Sequence, residues 1–215
     1  MSNISMTTSK RNAIVTVMLI SAFVSMLNQT ILNTALPAII KGLNITETTA
    51  QWLITGFMLV NGIMIPLTAF LMDKYSTRHL YIFSMAIFLI GSIVAAFSPT
   101  FTILMISRII QAIGAGILLP LMQFTVFTLF PAEQRGFAMG LAGVVVQSAP
   151  AIGPTLTGLF VDLFSWRMPF YLVSAIAAVA FILGFFFKVN IIYIILALIV
   201  IGIIYTLAKR GHHAD

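Results

Sequence analysis

Thr68-Ala69-Phe-Leu71-Met-Asp73-Lys74-Tyr-Ser76-Thr77-Arg78 returns later in the chain as Thr157-Gly158-Leu-Phe-Val161-Asp162-Leu-Phe-Ser165-Trp166-Arg167. Threonine, aspartate, serine and arginine coincide, at a constant offset of 89 residues from Asp73 to Asp162. Each copy closes a long uncharged run. The same offset carries Asn12, where the first such run begins, onto Phe101. A unit of three apolar runs therefore occurs twice. Three is odd, so the second unit must lie inverted if each run crosses a membrane once. Inverted three-helix repeats within a six-helix half are a signature of secondary transporters.

Composition makes the membrane reading firm. Of the 215 residues 60% are apolar and 7% charged, against ~45–50% and ~25% in soluble domains. Soluble globular, disordered and coiled-coil classes are excluded. Runs of ~18 or more apolar residues read as membrane helices, because a lone strand cannot satisfy its backbone in lipid. The expected spans are about 13–36, 49–72, 80–97, 101–128, 136–161 and 168–187, with Ser98-Pro99-Thr100 dividing the third from the fourth. An additional hydrophobic helix is expected at 189–208 and a polar tail at 209–215. The first run is too long, and too polar in its second half, for a cleaved signal peptide. The fold class expected is all-α, a polytopic membrane protein whose residues 1–187 form a six-helix unit of two inverted repeats.

Orientation follows from lysine and arginine. With the N-terminus in the cytoplasm, Lys10, Arg11, Lys74, Arg78, Arg135 and Lys188 fall inside, and Lys41 and Arg167 outside. A seventh span would put Lys209 and Arg210 outside, against the rule. The net charge of +6 belongs to such loops, and no aromatic-basic stripe points to nucleic acid. Cysteine is absent, which removes disulfides and thiolate chemistry. The three histidines stand at loop or tail positions without Ser-His-Asp or Glu-x-x-His spacing. Neither an enzyme nor a metal site is expected.

Polar residues inside the spans carry what chemistry there is. Ser21, Ser25, Asn28, Gln29 and Asn33 recur every three or four residues on the first span. They read either as interhelical hydrogen-bond glue or as the wall of a wet cavity. Arg108 is the one charge deep in a span, seven residues past Phe101, and so about 10 Å in. A buried cation costs roughly 2.5–3.5 kcal/mol on insertion scales, so it should face the interior beside Gln111, one turn on. The alternative is snorkelling to the interface. Pro150 and Pro154 lie within the fifth span, and each removes a helix hydrogen bond, so a bend is expected there. Gly136, Gly140, Gly143, Gly153 and Gly158 offer a small-residue surface. Trp166 reads as an interface anchor.

Five motifs in order resemble the N-terminal half of the major facilitator superfamily, in particular the bacterial fourteen-span drug:proton antiporters and their lincomycin-resistance-like branch. Leu27-Asn28-Gln29-Thr30-Ile31-Leu32-Asn33-Thr34-Ala35-Leu36-Pro37 is similar to the pattern Leu-Asp-x-Thr-Ile-Val-Asn-x-Ala-Leu-Pro, with Asn28 in place of an acid. Leu71, Asp73, Lys74 and Arg78 fit the loop Gly-x-Leu-Ala-Asp-Arg-x-Gly-Arg-Arg, in which Ala69, Ser76 and Thr77 depart. Arg108-Ile-Ile-Gln111-Ala112-Ile-Gly114-Ala-Gly116 resembles Arg-x-x-Gln-Gly-x-Gly-Ala-Gly. Gly153, Pro154 and Gly158 fit the antiporter segment Gly-x-x-x-Gly-Pro-x-x-Gly-Gly, and Trp166-Arg167-Met168-Pro169-Phe170 the pattern Trp-Arg-Trp-x-Phe.

The resemblance implies proton-coupled efflux of amphipathic drugs by alternating access, from a multi-pass position in the bacterial inner membrane. No organic cofactor is implied, and the proton gradient drives the cycle. Asn28, Gln29, Asn33, Arg108, Gln111 and Gln147 are expected on the substrate and proton pathway, with Met26, Met58, Met64 and Met122 as soft apolar surface. Asp73, Lys74 and Arg78 are expected to form a cytoplasmic latch, and Pro150, Gly153, Pro154 and Gly158 the antiporter bend. The partners implied are the lipid bilayer, protons, a small amphipathic substrate, and either a missing C-terminal half or a second copy. Competing readings are an inactive truncated fragment, a transporter of another metabolite, and a membrane assembly protein that transports nothing.

Overall fold

The computed structural model describes residues 8–185. The expected helix at 189–208 and the tail at 209–215 lie outside the described residues. Six helices follow in order: α1 Thr8–Leu43, α2 Glu47–Lys74, α3 Thr77–Ala96, α4 Phe101–Leu129, α5 Ala132–Leu163 and α6 Met168–Phe185. All six are long and apolar enough to cross a membrane. Most run past the expected bounds, and polar caps open three of them. The side chains of Thr46, Ser76 and Thr100 accept from the backbone N–H groups of Thr49, His79 and Ile103, as N-cap residues do. Past the end of α1, Asn44 takes a positive φ of 51°, a conformation asparagine tolerates. Pro37 does not end α1, and α5 runs unbroken through Pro150 and Pro154.

The packing bears the repeat. α2 lies along α4, and α5 along α1; α3 packs on α4, and α6 on α1. The pairs α1·α4 and α3·α6 also meet, each helix with its own counterpart in the repeat. Exchanging the first three helices for the second three returns the same set of contacts. Small residues allow the closest of these. A β-carbon on Gly114 of α4 would stand 2.6 Å from Ser84 O and 2.9 Å from Phe88 N of α3. One on Gly153 of α5 would collide with Thr30 Oγ1 of α1. Without a hydrophobic force between helices in lipid, such backbone approach is what joins them.

The repeat is also visible in two arginines. Arg78, in the first turn of α3, donates to Phe185 O at the end of α6 (3.3 Å). Its counterpart Arg167, just before α6, donates to Ser98 O just past the end of α3 (2.8 Å). Each cation thus meets the carbonyl end of the antiparallel neighbour, where the helix dipole favours positive charge. Arg11 stacks on the Phe130 ring and Arg135 on Phe127, both at 4.4 Å. These residues, with Lys74 and Arg78, occupy one end of the bundle; Lys41 and Arg167 occupy the other.

Trp166 departs from expectation. It is buried, not an interface anchor: its indole lies against Gly42, whose missing side chain makes the room. It meets Phe170 edge to face at 6.2 Å and seats a second core cluster with Leu32, Ile39, Leu53 and Leu104.

Candidate transport pathway

The long polar face of α1 splits in three. Ser21 turns inward and pairs with Tyr81 Oη (2.7 Å), whose hydroxyl donates to Ala180 O (3.0 Å). Asn28 is fully buried. Gln29 is half-buried and faces a hollow, and Asn33 is exposed. One residue along a helix is a turn of about 100°, so neighbours such as Asn28 and Gln29 serve different surroundings.

Arg108 sits in the interior with 1% of its surface exposed. Its Nη1 donates to Gln111 Oε1 (2.7 Å), and its guanidinium stacks 4.2 Å from the centre of the Phe57 ring. Asn28 Nδ2 donates to the same Gln111 oxygen (3.2 Å), and Gln111 Nε2 donates to Ser92 Oγ (3.1 Å). The cluster thus ties α1, α3 and α4 together. Asn28, Arg108 and Gln111 are all buried inside the bundle, and the sequence does not reveal Phe57 or Ser92 beside them. A phenylalanine among phenylalanines and a serine among helical serines carry no signal of their own. Within the cluster two buried polar atoms have no hydrogen-bond partner, Asn28 Oδ1 and Arg108 Nε. The acids of the described residues, Glu47, Asp73, Glu133 and Asp162, are all exposed near helix ends. None is placed to neutralise Arg108.

Two hollows flank Met26 and Leu119. One of about 320 Å³ is bounded by α1, α2 and α4, with Ser25, Gln29, Asn61, Met58 and Phe57 in its wall. The other, about 200 Å³, is bounded by α1, α4 and α5, with Met122, Gln123, Met139 and Gln147. The 89-residue offset carries Phe57 and Met58 of the first onto Val146 and Gln147 of the second, so the hollows are counterparts in the repeat. Asn28, Arg108 and Gln111 line neither: they lie behind Phe57. Asn33 lines neither as well, since α1 turns it outward.

On α5 the expected bend residues divide between faces. Ala142, Val146, Ala149, Gly153 and Thr157 are buried in a line, and Gly153 meets α1 at Thr30. Pro150 and Pro154 are exposed, and a β-carbon on Gly136, Gly140, Gly143 or Gly158 would meet nothing within 4 Å. The smooth surface is therefore two surfaces, one used within the half and one open. At the loop after α2, Asp73, Lys74 and Arg78 are all exposed. Lys74 stacks on Phe70 (4.4 Å) and Arg78 holds α6, so the three are not gathered on one another.

The sequence profile of the Major Facilitator Superfamily matches residues 18–192. YcnB of Bacillus subtilis, an MFS-type transporter, is 53% identical over 174 residues, which are 81% of this chain and 37% of that protein. The lincomycin resistance protein LmrB of the same organism is 38% identical over 81% of this chain and 36% of its own length. EmrY of Escherichia coli, a probable multidrug resistance protein, is 35% identical over 68% of this chain and 29% of its own. The chain thus spans 29–37% of the length of these curated relatives. Among solved structures, a bacterial homologue of the human lysosomal transporter Spinster superposes with a TM-score of 0.68, at 15% identity, over 86% of this chain and 44% of that one. A peptide transporter with bound sulfate gives 0.66, at 15% identity, over 78% and 37%. At that identity the likeness is one of fold.

Proposed function

Since the chain belongs to the major facilitator superfamily, we propose that it supplies the first six helices of a proton-coupled exporter of amphipathic compounds. The observation that carries this reading is the pair of repeat-related hollows, walled by methionines and neutral amides, on either side of α1 and α4. Methionine adapts its shape to varied apolar surfaces, and amides accept or donate as a ligand requires. The drug-resistance relatives support the substrate class. A complementary six-helix half, or a second copy of this chain, closes the pathway, and rocking of the halves exposes the hollows to each side in turn. Asp73, Lys74 and Arg78 latch the cytoplasmic ends, with the N-terminus in the cytoplasm of a bacterial inner-membrane protein. The acids of the described residues, Glu47, Asp73, Glu133 and Asp162, all stand near the ends of α2 and α5 rather than mid-span, so the proton carrier is assigned to the complementary half. The test is efflux of the neutral dye Nile red from cells co-expressing this chain and the remaining length of YcnB. Protonophore-sensitive efflux is expected; efflux equal to that of cells with the YcnB segment alone overturns the reading.

A further inference from the structure

The electrostatics of the first hollow are set from behind its wall. Nothing lining it is charged: Ser25, Gln29 and Asn61 are its polar members. Phe57, 1% exposed, belongs to that wall and stacks on Arg108. A residue of the wall thus holds a guanidinium 4.2 Å from its ring centre. That cation has Gln111 and the Phe57 face for partners, a free Nε, and no described acid near it. Neutral hydrogen bonds and ring contact disperse a charge without cancelling it. In a bundle interior, where screening is weak, the field of such a cation extends well past its nearest neighbours. The amides in the wall are indifferent to sign. Among the described residues, Arg108 is therefore the charge that biases the hollow.

We propose that this hollow selects amphipaths by charge: anionic and neutral molecules are accepted and cationic ones are disfavoured, with Arg108 acting through Phe57 as the residue that determines it. The proposal rests on the hollow being a substrate site. Asn28 makes the selection possible. Its amide shares Gln111 Oε1 with Arg108, so a carboxylate in its place would stand beside the guanidinium and neutralise it.

Three dyes with one fluorophore test this: dansylglycine (anion), dansylamide (neutral) and dansylcadaverine (cation). Each is titrated against the 215-residue chain in phosphatidylcholine nanodiscs, with empty nanodiscs subtracted. Dansylglycine is expected to bind about tenfold more tightly than dansylamide, and dansylcadaverine most weakly. Asn28→Asp, nearly isosteric, and Arg108→Gln are each expected to level the dansylglycine preference. Dansylcadaverine binding as tightly as dansylglycine in the wild type overturns the proposal, a result that needs no variant to fold. An unchanged order in a monodisperse Asn28→Asp chain also overturns it. Equal binding of all three dyes defeats the charge rule and leaves the substrate hollow standing. Binding of none defeats both.

Discussion

Asn28 and Arg108 are joined through a single oxygen: Asn28 Nδ2 at 3.2 Å and Arg108 Nη1 at 2.7 Å both donate to Gln111 Oε1. Helices α1 and α4, the first members of the two repeats, are thereby linked at the middle of the bundle by polar groups. A hydrogen bond involving a charged group contributes about 1.5–3 kcal/mol, enough to hold one arrangement of the two helices against another.

Replacing the arginine tests that link. In a transport-competent assembly, Arg108→Ala is expected to lower proton-driven efflux by about 10–100-fold, as loss of a charged hydrogen bond of that strength implies. Membrane insertion should persist, because the substitution removes the costliest group in α4. Arg108→Lys should also impair, since an ammonium lacks the planar fork that stacks on Phe57 while reaching Gln111. Efflux is read from dye loss and insertion from membrane fractionation. Normal efflux by an inserted Arg108→Ala protein contradicts the role.

The glycines of α4 and α5 should respond oppositely to a single methyl group. Gly114→Ala drives a β-carbon into the backbone of α3 at Ser84 and Phe88, an overpacking that costs about 1–3 kcal/mol. Gly140→Ala meets no neighbour in this half and gains helix propensity, by about 0.8–1 kcal/mol in an exposed helix interior. Thermal unfolding in detergent should therefore fall for the first and hold or rise for the second.

Asp73→Asn should leave the thermal stability of this chain unchanged, because Asp73 is exposed and holds nothing within the half. In the complete assembly it should lower the turnover rate more than the apparent affinity. Initial efflux rates against dye concentration separate the two. Lost affinity with a normal maximal rate would refute a latch at this position.

The chain by itself should not transport as a monomer. The open face of α5, with Gly140, Gly143, Pro150 and Pro154, needs a second wall before a pathway closes beside the hollows. Reconstituted at one copy per vesicle under a pH gradient, it should move no dye. Movement at one copy refutes this. Activity that appears only at higher copy number identifies a second copy as the other wall.

The six described helices, the break at Ser98-Pro99-Thr100 and the inward setting of Arg108 are legible in the sequence because charge and proline are conspicuous against an apolar background. Facing is not. In lipid an exposed leucine and a core leucine are equally at ease, so hydrophobic periodicity does not tell Phe57, which is buried, from Phe70, which is 52% exposed. Asn28 and Gln29 look alike on paper and differ by one step of helical rotation. Trp166 has the composition of an interface anchor, and only the proximity of Gly42, distant in sequence, draws it inside. The Arg78 and Arg167 ties escape a reading of side chains altogether, because their acceptors are backbone carbonyls.

Those two ties fix an order of assembly. A chain synthesised from its N-terminus presents Ser98 before Arg167, so that tie can close as α6 begins to enter the membrane. Arg78 must wait for Phe185, a separation of 107 residues. At about 5–20 residues per second, α3 holds its arginine unattached for roughly 5–20 s while three more helices are made. The half is therefore fastened first at the end of Arg167 and last at the end of Arg78, and α6 is the clasp that completes it.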